Sequence, residues 1–475
     1  MFPAIGLEVH VELSTKSKMF CGCANDSNEK TSNINVCPIC LGHPGTLPVI
    51  NGEAIKRVIK VGLALDCDIS EKSFFDRKNY FYPDLPKGYQ ISQLYSPLCK
   101  NGFLMVNNRK IRIREIHLEE DTCRLSHDAN GDFSLVDCNR AGVPLMELVT
   151  EPDIKTAEEA KKFAQELRLL LRYLDVSDAD MEKGQMRIEP SVSVSQKQGE
   201  LGVRAELKNI NSFRAVERSI VFEIARQKSI LEKGKKISQQ TRGWDSAKQE
   251  TVLQRIKETA DDYRYFPEPD LPFLEFTQSY LDKIRADIPE LPWQKRTRLV
   301  MEYGLSEKQV DILTQNKWVG EYFEKVISEL PSRLQRNDLQ NMTKLCFNYL
   351  TTDLLGLLNN TQKNMITPEN FAELITMIFQ DKVSSKAAKD ILKEMLYSGG
   401  DPSQIAEEKS LLQTSDESEI GEIVKQVLKE NEKAVADFHS GKENSSQFLL
   451  GKIMAKSRGK ANPDLAQKLL KQFLS

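Results

Sequence analysis

The chain has 475 residues, a length that suggests roughly three domains. Hydrophobic residues make up 40% of it and charged residues 28%, as in ordinary globular proteins with a substantial core. The 66 basic and 69 acidic residues leave a formal net charge of -3, which excludes a protein that binds nucleic acid through bulk positive charge. Any contact with nucleic acid must come from a local basic patch.

The N-terminus and the cysteines indicate the compartment. No segment approaches the ~18 uninterrupted apolar residues of a membrane helix. The chain runs from Met1 directly into the strand-like IGLEVHVEL, without a secretory or import leader. Nine cysteines spread over a long chain disfavour a disulfide framework. We therefore expect a protein of the reducing cytoplasm with no membrane contact.

The first part of the chain has the pattern of an α+β domain on a largely antiparallel sheet. Short runs of alternating apolar and polar residues, broken by Gly, Pro and Asn, dominate residues 1–150. In the first strand Leu7 and Val9 face one side, which leaves Glu8 and His10 on the other.

Two helices are predicted to flank this sheet. The first begins at a capping box formed by Thr156 and Glu159 and carries apolar residues at helical spacing. The second begins near Phe213, where apolar residues again recur every three or four positions.

From about residue 294 the pattern becomes almost entirely helical. Thr367 and Asn462 each precede a proline, which is typical of an N-cap followed by the first helical turn. A Ser-Gly-Gly-Asp-Pro break at 398–402 divides this helical part in two. We therefore predict three domains: a sheet domain over 1–293, an all-helical domain over 294–400 and a small helical tail domain over 401–475.

The tail is polarised in charge. Residues 403–437 hold nine acidic and four basic side chains, whereas residues 441–475 hold seven basic and two acidic ones. One interpretation is a solvated surface on which complementary helices pair. The other is a basic end, around GKIMAKSRGK, that binds a nucleic-acid backbone. Charge alone favours neither.

Two closely spaced cysteine pairs give the sharpest local signal. Cys21 and Cys23 precede Cys37 and Cys40 by about the length of one hairpin, and four thiolates form a closed tetrahedral set for zinc. The CPICLG turn resembles a zinc knuckle. The alternative is four reduced cysteines without a metal. The spacing favours zinc in a structural role, because no ligand position is left open for water.

Carboxylates are in excess where the strand pattern would tolerate neutral residues. Glu147 interrupts the apolar run PLMELV, Glu206 alternates with apolar neighbours, and HLEED (117–121) follows a strand. A carboxylate in such a run is costly unless it is paired or binds a cation. Together with Glu8 and His10, these side chains would suit Mg²⁺ on one face of the sheet. The competing interpretation is ion pairing with arginines nearby in sequence, and the pattern favours it for any single carboxylate. These arginines are Arg112, Arg114, Arg124 and Arg140.

Familiar phosphate-binding loops are missing from the sequence. There is no GxxxxGK[ST] loop, no kinase-type glycine loop and no GxGxxG fingerprint, and a GxSxG elbow is also missing. ATP, if it is used, must be held in another way.

Several long segments resemble one family, the B subunits of the glutamyl/aspartyl-tRNA amidotransferases (GatB/GatE). The resemblance runs from IGLEVHVEL to the end of the chain, and long ordered matches are far more specific than a short motif. The strongest segments are FDRKNYFYPDLPKGYQISQ (75–93), LEEDTCR (118–124), VDCNRAGVPLMELVTEPD (136–153), AELKNINSF (205–213), ADDYRYFPEPDLP (260–272), SSKAAK (384–389) and FLLGKIMAKSRGKANP (448–463).

The resemblance implies an RNA-dependent amidation driven by ATP. In this family an amidase, the A subunit, hydrolyses glutamine and sends ammonia through a channel, and a small C subunit completes the heterotrimer. The B subunit binds glutamyl-tRNA(Gln), aspartyl-tRNA(Asn) or both, phosphorylates the side-chain carboxylate and lets ammonia displace phosphate. The sequence does not distinguish between these tRNAs. The family also implies a cradle-like catalytic domain, a helical domain and a tail that contacts tRNA, which favours the nucleic-acid interpretation of the basic end.

The resemblance also implies site residues. Glu8, His10 and Glu120 are the expected catalytic residues, and Glu120 is expected to bridge two Mg²⁺ ions. Lys78 and Lys87 are expected to bind cofactor, or to line the ammonia route or the subunit interface. The magnesium ligands implied are Glu8, His10, Glu120, Glu147 and Glu206.

Two details concern this chain within the family. It keeps the four zinc cysteines, which not all members have. Where the family commonly has an Asp-x-Asn strand after an arginine, this chain has the sequence RIEPS from Arg187, in which Glu189 still presents a carboxylate.

A rival function of another class is a non-catalytic, zinc-containing tRNA-binding module, which would explain the cysteines and the basic tail but not the carboxylates.

Overall fold

The computed structural model divides into two compact units. They span Met1–Pro292 and Trp293–Ser475. The first combines sheet and helix and the second is helical, so the predicted α+β class is confirmed. The structure describes all residues except 129–130, 257–262, 332–334, 359–365, 415, 441, 443, 458–459 and 475. Parts of the segments 260–272 and 448–463, which carried the family resemblance, therefore lie outside the described residues.

A nine-stranded, largely antiparallel sheet forms the centre of the first unit. Its strands, from one edge to the other, are β14 (Glu250–Ile256), β13 (Gln240–Asp245), β12 (Ala205–Lys208), β11 (Met186–Ser195), β1 (Phe2–Glu12), β10 (Pro144–Thr150), β7 (Arg109–Glu120), β6 (Cys99–Val106) and β2 (Asp68–Ile69). Of these neighbours β12 and β13 run parallel. The apolar residues of β1 are buried at every second position, as the alternation predicts.

Three helices pack against this sheet. They are α1 (Gly52–Ala64), α2 (Ala157–Tyr173) and α3 (Phe213–Glu232). Thr156 caps α2 as predicted, because its hydroxyl accepts a hydrogen bond from the Glu159 N–H. The capping box is incomplete: the Glu159 carboxylate accepts a hydrogen bond from the Lys155 N–H instead of the Thr156 N–H. The helix expected near Phe213 is confirmed, with Ser212 as its N-cap.

Smaller sheets surround the large one. They are the three-stranded β15-β4-β5 and the pairs β16-β3 and β8-β9. Strand β5 packs on β7 and so brings the 75–93 segment to the end of that strand. The bounds are β3 (Lys72–Ser73), β4 (Asp76–Asn79), β5 (Tyr89–Ser92), β8 (Arg124–His127), β9 (Ser134–Asp137), β15 (Phe266–Pro267) and β16 (Leu274–Glu275), with helix α4 (Gln278–Ala286) packed on α1.

The second unit is built from helices. They are α5 (Pro292–Tyr303), α6 (Glu307–Gln315), α7 (Lys317–Ser328), α8 (Arg336–Asn348), a π-helical turn (Tyr349–Leu354), α9 (Leu355–Leu357), α10 (Pro368–Phe379), α11 (Ser385–Ser398), α12 (Pro402–Glu408), α13 (Glu417–Glu430), α14 (Glu432–His439), α15 (Asn444–Lys456) and α16 (Pro463–Leu474). Thr367 and Asn462 cap α10 and α16 through side-chain oxygens, as predicted. No helix in the described part of the chain combines the length and the apolar composition needed to cross a bilayer.

Two separate hydrophobic cores lie within this unit. One gathers buried residues between Leu299 and Ala406, and the other gathers those between Ile420 and Leu474. Helix α12 packs on α10 and α11 and contributes to the first core. The change from one core to the next therefore comes after α12. The division into three domains, with a boundary at residue 401, stays a prediction.

Candidate functional site

Neighbouring strands of the large sheet align polar side chains opposite one another. In β1 the buried Leu7 and Val9 alternate with Glu8 and His10, so the two sets face opposite sides. Antiparallel register then places Glu147 of β10 opposite His10. The same register aligns His117 of β7 with Glu147 and Glu189 of β11 with Glu8. Carboxylates and imidazoles from four strands thus meet on one face.

Four of these side chains converge with Glu119 of β7, and we call the five the acidic cluster: Glu8, His10, His117, Glu119 and Glu147. The Glu147 carboxylate lies 3.3 Å from His10 Nε2 and 3.1 Å from His117 Nε2. Carboxylate oxygens of Glu119 and Glu8 lie 3.7 Å and 3.8 Å from His10 Nε2. The ligand atoms form two groups that share Glu147, each within 4.8 Å. This donor set of carboxylate oxygens and imidazole nitrogens fits a hard divalent cation such as Mg²⁺ or Mn²⁺.

The electrostatics of the cluster follow from burial and crowding. Burial and the Glu147 charge raise the pKa of Glu8 to about 7, against the opposing effect of His10. Burial lowers the pKa of His10, but the carboxylates of Glu147, Glu119 and Glu8 outweigh it and raise that pKa to about 9. Burial also disfavours ionised Glu147, yet His117 and His10 hold the pKa of its carboxyl well below the usual range. A bound divalent cation would compete with the imidazole protons, because histidine ligates metals in its neutral form.

Lys78, one of the site residues that the family resemblance implies, lies beside the cluster. Its ammonium is 5.2 Å from the Tyr263 ring centroid and 5.9 Å from that of Tyr80. Burial lowers its pKa, but the charges of Glu119 and Glu147 outweigh burial and raise the pKa above its ordinary value. Lys78 is therefore a cation held close to the carboxylates of the cluster.

Glu120 does not join the cluster. Consecutive residues of a strand point to opposite faces, so Glu119 faces His10 and Glu120 turns away. The Glu120 carboxylate contacts Lys87 Nζ and accepts a hydrogen bond from the Ile91 N–H at 2.9 Å. The structure thus joins Glu120 and Lys87 to each other and brings Glu119 into the acidic cluster. The implied role of Glu120 as a magnesium ligand stays a prediction.

Glu206 lies on the same face but is engaged by a lysine. Lys208 Nζ lies 2.6 Å from a Glu189 oxygen and 3.6 Å from a Glu206 oxygen. Both carboxylates contribute to the raised pKa of Glu8, so they are electrostatic neighbours of the cluster. Among the described residues the converging ligand groups do not include Glu206.

His117 and Glu119 belong to the acidic cluster, although the sequence pattern did not single them out. Within HLEED they occupy positions two apart, so a strand places both on one face. Aligning that face with Glu147 would have selected them over Glu120, but the alignment requires the register between β7 and β10.

A cavity of about 560 Å³ adjoins the cluster at Glu8. Its lining includes Arg114 and Arg204 as cations and Thr150 and Ser191 as polar groups. This volume lies within the range of small-molecule and cofactor pockets. A ligand in the cavity would therefore reach both guanidinium groups and the Glu8 carboxylate of the cluster.

The four predicted zinc cysteines come together in a second cluster, which we call the thiolate cluster. The sulfur atoms of Cys21, Cys23, Cys37 and Cys40 lie within 4.8 Å of one another. The Cys37 N–H donates a hydrogen bond of 3.1 Å to Cys40 Sγ, as expected of a zinc-knuckle turn. A hydrogen bond from Cys21 lowers the pKa of Cys40 to about 5, against burial and with help from the Cys37 N–H and Lys18. Four soft thiolates at this spacing fit zinc.

A buried ion pair holds the segment that carries Tyr263 against β4. Arg77 Nε and Nη2 donate hydrogen bonds of 2.6 Å and 2.8 Å to the two Glu268 oxygens, and the Glu268 side chain is fully buried. We expect Arg77→Met to lower the free energy of unfolding by about 3 to 5 kcal/mol, because it leaves a buried carboxylate without its partner. Urea unfolding followed by circular dichroism measures this loss.

Lys72→Met serves as the matched control. Lys72 pairs with Glu275 in the same region, but both side chains are largely exposed. Its removal should leave stability almost unchanged, because exposed ion pairs contribute little. A loss for Arg77→Met as small as that of the control would contradict the role of the buried pair.

Comparison with known proteins identifies the family. A model described as the GatB/GatE catalytic domain matches residues 3–282, which hold both clusters. A second, described as the GatB domain, matches residues 321–474. The chain belongs to the GatB/GatE family. The resemblance read from the sequence is confirmed.

Curated relatives of the GatB/GatE family match this chain over nearly its whole length. The B subunit of the aspartyl/glutamyl-tRNA(Asn/Gln) amidotransferase of Thermotoga maritima is 44% identical over 485 aligned residues, which cover 99% of this chain and 98% of that protein. Proteins of the same name from Caldanaerobacter subterraneus subsp. tengcongensis and Dehalococcoides mccartyi are each 45% identical, with the same shares of both chains covered.

Proposed function

We propose that this chain is the B subunit of a tRNA-dependent amidotransferase, a ligase that forms carbon–nitrogen bonds. It would use ATP to activate the side-chain carboxylate of glutamate on tRNA(Gln), of aspartate on tRNA(Asn), or of both, and convert it to the amide. An amidase, the A subunit, would supply ammonia from glutamine, and a small C subunit would complete a heterotrimer in the cytoplasm. The acidic cluster carries this proposal, because it lies within the residues that match the GatB/GatE catalytic domain. The names of relatives 44–45% identical over 99% of the chain support it.

The chemistry explains why ATP and a charged face are needed together. A carboxylate is a poor acyl donor, whereas an acyl phosphate carries a good leaving group. Transfer of the γ-phosphoryl group to the carboxylate forms the acyl phosphate, and attack by ammonia on its carbonyl carbon gives the amide and releases phosphate. Such phosphoryl transfer requires positioning and neutralisation of charge more than covalent help from the protein.

The side chains of the acidic cluster fit this requirement. Mg²⁺ would be held by the two ligand groups of the cluster, Glu8, His10 and Glu147 in one and His117, Glu119 and Glu147 in the other. It would neutralise charge on the transferring phosphoryl group. Lys78, a cation at the edge of the same cluster, is placed to stabilise phosphate oxygens. The cavity at Glu8 has the volume for a nucleotide.

Zinc at the thiolate cluster is the structural part of the proposal. Four cysteine ligands fill a tetrahedral site, so the metal would hold the 21–40 segment in shape and leave the chemistry to the acidic cluster.

ATP cleavage by the complete complex tests the function. The purified chain is assembled with its amidase and with the small third component of the complex, and phosphate release is measured with glutamyl-tRNA(Gln) and with aspartyl-tRNA(Asn). We expect release that depends on one or both charged tRNAs and is accompanied by amide formation when glutamine or ammonium is supplied. The same assay identifies the physiological tRNA.

The rival function, a zinc-containing module that only binds tRNA, predicts a different outcome. Charged tRNA would bind, but ATP would not be cleaved in response to it. Burial of Glu119 and Glu147 together on a sheet face, at a cost that tRNA binding does not require, favours the enzyme.

Binding of tRNA by the tail gives a further prediction. The structure pairs Lys442, Lys456 and Lys468 with acidic residues of the preceding helices, so complementary pairing accounts for part of the basic end. Lys452 and Lys460 have no acidic partner within 4 Å among the described residues. We expect the double change Lys452→Ala and Lys460→Ala to raise the KM for charged tRNA about three- to tenfold and to reduce the slope of log KM against log salt by about 2.

The control for this prediction is Lys442→Ala, which removes a lysine already paired with Asp437. The change in KM caused by Lys442→Ala should be smaller than the change per lysine in the double variant. Glutamine hydrolysis by the partner should persist in both variants. An unchanged KM and salt slope in the double variant would contradict tRNA binding by these lysines.

A further inference from the structure

Lys18 is a large, charged side chain that the structure buries completely. Its exposed fraction is 0%. An ammonium group removed from water costs several kcal/mol unless an anion and hydrogen-bond acceptors compensate it. The surroundings of Lys18 must therefore supply both.

The hydrogen bonds of Lys18 lead to the thiolate cluster. Its Nζ donates to the backbone carbonyl oxygens of Asn35 at 2.7 Å and of Cys138 at 3.2 Å. The third partner is Cys40 Sγ at 3.8 Å. Within the described ranges, no carboxylate lies within 4 Å of the ammonium. Carbonyl groups contribute dipoles but no charge, so the cysteine sulfur is the one anionic partner that these contacts offer.

The packing fixes this arrangement and keeps it dry. Gly142, at φ +82°, packs beside Lys18 and Cys40: a Cβ at this position would lie 3.6 Å from both Lys18 Cδ and Cys40 Cβ. The Met19 N–H donates a hydrogen bond of 2.7 Å to the Gly142 carbonyl, which ties the lysine's own segment to this turn. Buried Cys123 and Cys138 form an apolar cluster beside it. Low polarity strengthens the attraction between an ammonium and a thiolate.

We propose that Lys18 is the built-in counter-charge of the thiolate cluster and a positioning residue for its metal. This rests on the zinc part of the proposed function. Four thiolates around one divalent ion carry a net charge of -2, and a buried ammonium at Cys40 reduces that charge while its hydrogen bond orients the sulfur. Lys18 therefore favours the metal-bound thiolates over free thiols. Metal-bound thiolates also explain why Lys18 can be buried, because four neutral thiols would leave its ammonium without an anionic partner.

Zinc affinity of the full-length chain tests the proposal. Lys18→Met keeps the length of the side chain and removes the charge, and Lys16→Met changes an exposed lysine two residues away. Competition for Zn²⁺ with a chromogenic chelator should show binding weakened about 10- to 100-fold in Lys18→Met, the usual effect of losing an outer-shell partner. Lys16→Met should bind as the unmodified chain does. Lys18→Arg, which restores the charge, should recover most of the affinity.

Cobalt substitution separates charge from shape. Co²⁺ bound to Lys18→Met should keep the absorption bands of tetrahedral four-thiolate coordination while its affinity falls, because the ligands are intact and only the counter-charge is lost. Equal zinc affinity in Lys18→Met and the unmodified chain would overturn the proposal. If Lys18→Met does not fold, Lys18→Arg decides: affinity close to that of the unmodified chain supports the counter-charge, and a loss of tenfold or more overturns it. An unmodified chain that binds no zinc would instead refute the zinc site itself.

Discussion

The rate of ATP cleavage stimulated by glutamyl-tRNA is expected to fall about a hundredfold or more when Glu119 is replaced by glutamine. The Glu119 carboxylate is buried 3.7 Å from His10 Nε2 and accepts a hydrogen bond from the Ser92 hydroxyl at 3.1 Å. Glutamine keeps the shape but removes the charge, and a neutral amide is a much weaker ligand for Mg²⁺. The expected loss is that of one preorganised electrostatic contact in a phosphoryl-transfer site. The assay uses the assembled complex with excess ammonium, so that channelling does not limit the rate.

Glu120→Gln is the matched comparison, since it makes the same chemical change at the next residue. The structure pairs Glu120 with Lys87 and the Ile91 N–H, so we expect a loss of stability and a smaller loss of rate. Assembly with the amidase and zinc content should stay normal in both variants. If Glu120→Gln abolishes ATP cleavage in a folded complex and Glu119→Gln does not, the magnesium ligand is Glu120, as the family resemblance implied.

Cys37→Ser is expected to release zinc and to lower the stability of the sheet unit. Elemental analysis of the unmodified protein should show about one zinc per chain, and the variant should show none. Binding to the folded state alone contributes about 4 kcal/mol when free metal is a thousand times its dissociation constant, and the variant should lose this stabilisation. Thermal unfolding with and without a chelator measures it: the chelator should lower the midpoint of the unmodified protein and leave that of the variant unchanged.

Cys346→Ala is the control for the zinc prediction. Cys346 is buried in the first core of the helical unit, so its removal can cost stability but should not change the zinc content. Equal stability of the unmodified protein before and after zinc removal would contradict a structural role for the metal.

Local sequence determined the elements and one of the two clusters. The alternation in β1 placed Glu8 and His10 on one face, and Thr156, Thr367 and Asn462 marked helix starts that the structure contains. The paired spacing of the cysteines also predicted a cluster that the fold assembles. These features depend on backbone periodicity, caps and turns, all of which are set by residues a few positions apart.

Tertiary structure alone decided which charged residues meet. The register of β7 against β10 places Glu119 in the acidic cluster and Glu120 with Lys87. Pairing of β11 with β12 brings Glu189 to Lys208. The turn around Gly142 lies along buried Lys18 beside the thiolate cluster. The contacts of Glu120 with Lys87, of Lys208 with Glu189 and of Gly142 with Lys18 each join segments distant in the chain. A shift of one residue in strand register exchanges the two faces of a strand, so the local pattern alone could not determine them.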